Sequence, residues 1–79
     1  MFSTYILFSE KLNRYYAGQT INLRQRLIDH NAGRSKFTKS GRPWRLVYHV
    51  EFLTRSEAIQ LEGRIKKRGI RRFINDVSS

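Results

Sequence analysis

The chain has 79 residues, 39% hydrophobic and 13% aromatic, enough for one domain over residues 1–79 and too few for two cores. It has no cysteine, which argues against a disulfide-stapled secreted module and for a reducing, cytoplasmic setting. Sixteen Lys/Arg against six Asp/Glu give a net charge of +10, self-repelling enough to call for a polyanionic partner, and the N-terminal stretch carries no signal-peptide or membrane-span pattern.

In chain order, Ser3 to Ser9 is rich in Tyr, Ile, Leu and Phe and predicts a strand. Tyr15 to Thr20 predicts a second, joined through residues 10–13 in a hairpin. Whether the turn takes two residues or four, pairing parity puts Tyr5 and Tyr16 on one face, with Gly18 beside them. A strand glycine marks close approach of a ligand or another backbone, although two tyrosines on one face also suit plain packing. Asn22 caps a helix over Leu23 to Ala32, with Gln25 in the capping-box position and Gly33 as the stop. At roughly 100° per residue, Leu23, Arg26, Leu27 and His30 share its inner face. Arg26 and His30 one turn apart offer two donors to one anion. Equally, they read as an arginine stem covering the core edge and a histidine at a helix C-terminus.

A basic loop with Gly41 and the only proline, Pro43, leads into Arg45 to Phe52. That strand alternates, with Leu46, Tyr48, Val50 and Phe52 on one face and Val47, His49 and Glu51 on the other. Thr54 and Glu57 form a second capping box, opening a helix from Arg55 to Lys67. Gly69 interrupts it before a short basic helix, Ile70 to Asp76. The order ββαβαα gives an α+β domain, a three-stranded sheet flanked by helices.

No phosphate-binding glycine loop, zinc-spaced Cys/His set or nucleophile elbow is present. Glu62 stands out because Ala58, Leu61 and Ile65 form the apolar face of its helix, and Glu62 projects within about 40° of Ala58. A carboxylate there is partly desolvated and needs a partner. Either one of the following basic residues supplies it, or a hard divalent cation does. The acid-free stretch holding Arg34, Lys36, Lys39 and Arg42, and the run through Lys66, Lys67 and Arg68, predict nucleic-acid backbone contacts with weak sequence specificity.

These residues, in this order, resemble the GIY-YIG endonuclease superfamily over nearly the whole chain. Thr4-Tyr5-Ile6-Leu7 is similar to the first half-motif and Tyr16-Ala17-Gly18 to the second. The run from Gln19 to Asn31 is similar to the family's following helix segment. Gly41 to Tyr48, and Ala58 to Lys67, resemble standalone single-domain members. The Arg42-Pro43-Trp44 element also resembles the catalytic subunit of structure-specific junction resolvases. The resemblance implies a three-stranded antiparallel sheet and metal-dependent hydrolysis of DNA phosphodiester bonds, in which Mg²⁺ or Mn²⁺ is the cofactor. It implies catalytic roles for Tyr5, Tyr16, Arg26, His30 and Glu62, with Glu62 on the metal and Tyr5 as base while Tyr16 orients water. It also aligns Asn75 with a late family asparagine. Ser3 and Thr4 replace the family's glycine and isoleucine, and Gln19 stands where the repair-incision branch carries a lysine.

The alternative is a non-catalytic nucleic-acid-binding module on the same fold. A third reading is a protein-interaction module whose basic surface docks an acidic partner. DNA is the expected partner, with a protein partner or homodimer to select targets and no membrane.

Overall fold

The computed structural model describes residues 1–78. Strands β1 (Phe2–Ser9), β2 (Arg14–Thr20) and β3 (Trp44–Phe52) form one antiparallel sheet in the order β2-β1-β3. The helices are α1 (Leu23–Asn31), α2 (Arg55–Arg68) and α3 (Ile70–Ser78), with a 3-10 turn at Lys39–Gly41. The architecture is the expected α+β arrangement, with element ends moved by a residue or two.

Local chemistry explains the boundaries. The hairpin uses the four-residue turn 10–13, with Asn13 at φ 52°, in the left-handed region that asparagine tolerates. Its register pairs Tyr5 with Gly18 and Leu7 with Tyr16, so both tyrosines do lie on one face. The Asn22 side chain accepts the Gln25 backbone N–H at 3.1 Å to open α1. The Gln25 side chain does not return the bond, because its amide donates to Asp29 at 3.0 Å. Thr54 caps α2 by accepting the Glu57 N–H at 3.3 Å, and Gly69 at φ 95° ends it.

The sheet separates two apolar clusters. On one face Ile6 and Ala17 pack against Leu61 and Ile65 of α2, joined by Tyr48, Val50, Phe52 and α3 residues Ile70, Phe73 and Ile74. Each fully buried isoleucine there contributes about 1.5–3 kcal/mol. The Thr4 hydroxyl ties α2 to the sheet by donating to the Ala58 carbonyl at 2.7 Å. On the opposite face Tyr5, Leu7 and Trp44 pack against Tyr16, Leu23, Leu27 and Leu46 beneath α1.

The uniform alternation expected for β3 is corrected. Ile6 pairs with Tyr48 but Leu7 with Leu46, so Val47 is an extra residue at a bulge. Leu46 therefore joins Trp44 under α1, while Tyr48, Val50 and Phe52 face α2. The bulge lets one strand serve both clusters.

Candidate active site

Tyr5 is the centre of a polar cluster on the α1 face. Its side chain is 1% exposed and its hydroxyl lies over Gly18, where an added Cβ would come within 2.7 Å of it. The close approach at this glycine is made by the protein's own phenol and not by a ligand or another backbone. His30 Nε2 lies 3.0 Å from the Tyr5 hydroxyl, and Arg26 Nε donates to that oxygen at 3.4 Å. The Tyr16 ring packs edge-on to His30 at 5.1 Å and tilts against Tyr5 at 6.4 Å. Parity of the hairpin and the helical i, i+4 spacing are what bring these four together.

His30 is fully buried, and Thr38 Oγ1 lies 2.7 Å from its Nδ1. The Thr38 hydroxyl donates to the Ser35 carbonyl at 3.5 Å, which leaves its oxygen to accept Nδ1–H. Nε2 is then the acceptor for the Tyr5 O–H. Burial, aided by the Arg26 charge, holds His30 below the ordinary histidine range and so neutral at pH 7. Burial also pushes the Tyr5 phenol up, against the opposing Arg26 hydrogen bond, with Tyr16 and Glu62 adding to the rise. Tyr5 is thus enclosed, with its hydroxyl bonded to both His30 and Arg26. The same hydrogen bond pushes Arg26 further up, Tyr16 adding to it.

Thr38 and Asn31 were not singled out from sequence. Asn31 accepts the Trp44 N–H at 2.6 Å and donates to the Trp44 carbonyl at 3.0 Å, locking the end of α1 to the start of β3. The Trp44 indole N–H donates to the Thr38 carbonyl at 2.6 Å, and its ring lies edge-on to Tyr16 at 6.4 Å. No periodicity marks a loop threonine, so only the tertiary contact reveals it.

Glu62 comes from α2, which covers the other sheet face, yet its charge reaches the Tyr5 hydroxyl. Its side chain is 21% exposed and pairs with Lys66 at 2.6 Å. Of the two sequence readings of Glu62, the basic partner is present in Lys66. No group of three or more His, Cys, Asp or Glu forms a metal cage among the described residues.

A model of the GIY-YIG catalytic domain matches residues 1–72. The chain belongs to the GIY-YIG family. The family is built on a nuclease-type fold, and the sheet and helices described above agree with it. Among curated relatives, a UPF0213 protein of Listeria welshimeri is 45% identical over 56 residues, covering 70% of this chain and 62% of that protein. One of Bacillus pumilus is 48% identical over 52 residues, covering 65% and 53%. UPF0213 protein YazA of Bacillus subtilis is 43% identical over 58 residues, covering 72% and 59%. The chain thus spans about three fifths of the length of the Listeria relative it matches. No solved structure matches.

The basic residues of this GIY-YIG domain divide in two. Arg34 pairs with Asp29 at 2.7 Å, Lys66 with Glu62, and Arg68 grips Asp76 at 2.8 and 3.1 Å. Arg42 lies over Gly33 and donates to the Lys39 carbonyl at 2.8 Å. Lys36, Lys39 and Lys67 are exposed and have no ion-pair partner among the described residues. Asn75 is exposed on α3. No helix among the described residues is long and apolar enough to cross a membrane.

Proposed function

We propose that this GIY-YIG domain is a divalent-metal-dependent endonuclease that hydrolyses phosphodiester bonds in DNA. The observation that carries the reading is convergence on one hydroxyl. Arg26 of α1 donates to the Tyr5 hydroxyl at 3.4 Å, His30 lies 3.0 Å from it, and the Tyr16 ring of β2 packs against both rings. A packing cluster has no need of a guanidinium and an imidazole at one buried phenol.

The residues fit a hard cation. One partly desolvated carboxylate suits Mg²⁺ or Mn²⁺, which completes its shell with water and substrate phosphate. Lys66 is 54% exposed, so releasing its ion pair to admit a cation costs little. Glu62 would hold the ion, which supplies Lewis-acid polarisation of the phosphate.

The chain's own groups do the rest. Arg26, fixed by the Tyr5 hydroxyl, turns its remaining N–H donors to the phosphate and stabilises the extra charge of the pentacovalent transition state. Half-buried Tyr16 is the phenol that meets the attacking water, because Tyr5 is enclosed and committed to two bonds. His30 and Thr38 hold Tyr5, and through it Arg26, in register. Lys36, Lys39 and Lys67 follow the nucleic-acid backbone.

The test is cleavage of labelled DNA by variants whose folding is checked by melting. Glu62→Ala should lose Mg²⁺-dependent cleavage with the fold intact. Arg26→Ala should lower single-turnover cleavage by at least about a hundredfold while DNA affinity changes little. Full activity of Glu62→Ala would remove the metal assignment. A defect of Arg26→Ala confined to affinity would favour the binding module.

A further inference from the structure

Phe37 is 84% exposed, the most exposed of the large hydrophobic side chains among the described residues. Its neighbour Thr38 is fully buried and pinned at every polar atom. The Thr38 N–H donates to the Ser35 carbonyl at 3.2 Å, and its carbonyl accepts the Trp44 indole at 2.6 Å and the Gly41 N–H at 3.2 Å. Its hydroxyl is the one held against His30 Nδ1. Phe37 thus sits one Cα step, about 3.8 Å, from a residue fixed to the candidate active site. Lys36 and Lys39 on either side are exposed cations with no ion-pair partner among the described residues.

We propose that Phe37 is a stacking platform for an unpaired nucleobase beside the scissile phosphate, so that single-stranded or frayed nucleic acid is the preferred substrate. This rests on the nuclease reading of the same face. A phenyl ring left in water on an anchored loop gains free energy from any flat apolar surface, and every base has one. Lysines at its sides select, among such surfaces, one attached to phosphates. In a duplex the bases are already stacked on one another, and the ring meets only backbone. The loop's anchorage means that the ring is placed before binding rather than ordered by it, which lowers the entropic cost of association.

The experiment measures binding in EDTA, so that it reads out whether or not the protein cuts. A single-stranded decamer with a central 2-aminopurine, the matching blunt duplex, and a decamer abasic at the central position are titrated with the wild type, Phe37→Ala and Phe37→Tyr. The exposed side chain makes both substitutions neutral for folding, which melting curves verify. Phe37→Ala should weaken single-strand binding about tenfold and abolish the 2-aminopurine quench. Duplex and abasic affinities should stay within about twofold, and Phe37→Tyr should restore both readouts. Unchanged single-strand binding, or an equal loss on all three oligonucleotides, would overturn the proposal. So would a Phe37 dependence found only with anionic phosphatidylserine vesicles. Failure to cleave DNA in Mg²⁺ with this stacking intact would instead count against the nuclease reading.

Discussion

Gly18→Ala tests the geometry of the site without relying on catalysis. The new Cβ would stand 2.7 Å from the Tyr5 oxygen and 2.9 Å from Cζ, against ordinary contact at 3.4 Å and beyond. The phenol must retreat by about 0.7 Å, and a ring 1% exposed has nowhere to go without breaking its bond to His30 or to Arg26. Overpacking costs roughly 1–3 kcal/mol and the lost bond about 1 more, offset by roughly 0.5–1 from replacing glycine in a strand. The net loss of about 2 kcal/mol lowers the melting temperature of a domain this small by about 8–16 °C. Gly63→Ala is the matched control, because nothing lies within 4 Å of its Cβ position on α2. There the same change should stabilise by about 0.8–1 kcal/mol. Urea and thermal melts followed by the fluorescence of Trp44, the only tryptophan, read both. A Gly18→Ala protein melting within about 2 °C of the wild type would refute the enclosed Tyr5 hydroxyl, since ~2 kcal/mol cannot hide in so small a shift.

Other consequences are as specific. Thr38→Val keeps the shape but strips the Nδ1 partner from fully buried His30; it should cost about 1–3 kcal/mol in urea denaturation, with Thr38→Ser recovering most of it. His30 is held below the ordinary histidine value of 6.5, so the unfolded chain takes up the proton first as pH falls. Its contribution is complete above 6.5 and is lost as pH falls from there through the lower folded value. The melting temperature should therefore drop from pH 7.5 to 5.5, and His30→Gln should flatten that drop. Lys67→Ala should weaken binding to all DNA sequences alike and reduce the salt slope by about one unit, measured by titration at several salt concentrations.

Much of this was legible in the chain because it is local. Strand-forming residues marked β1 and β2, two cap residues marked α1 and α2, hairpin parity put Tyr5 with Tyr16, and helical spacing put Arg26 with His30. What the sequence hid depends on contacts between distant segments. The bulge at Val47 moves Leu46 to the α1 face, and no alternation pattern reports a single inserted residue. Thr38 matters only because the basic loop folds back onto His30. The ion pairs of Arg34, Lys66 and Arg68 are by contrast local, with acids four to eight residues away, and one of them is the basic partner expected for Glu62. The burial of Tyr5, which a residue's type does not disclose, is what moves the proposed contact with water to Tyr16. Gln19, in the lysine position of the repair-incision branch, is half-buried with its side-chain oxygen enclosed and unpartnered. No feature of the fold accounts for that.

The account stands most directly on one assay, in which purified protein is incubated with end-labelled single-stranded, blunt duplex and branched DNA in Mg²⁺, Mn²⁺ or EDTA. It predicts internal cleavage that requires a divalent ion and disappears with Glu62→Gln. Tight, salt-sensitive binding without cutting on any of these substrates in either metal would contradict it, leaving a nucleic-acid-binding module.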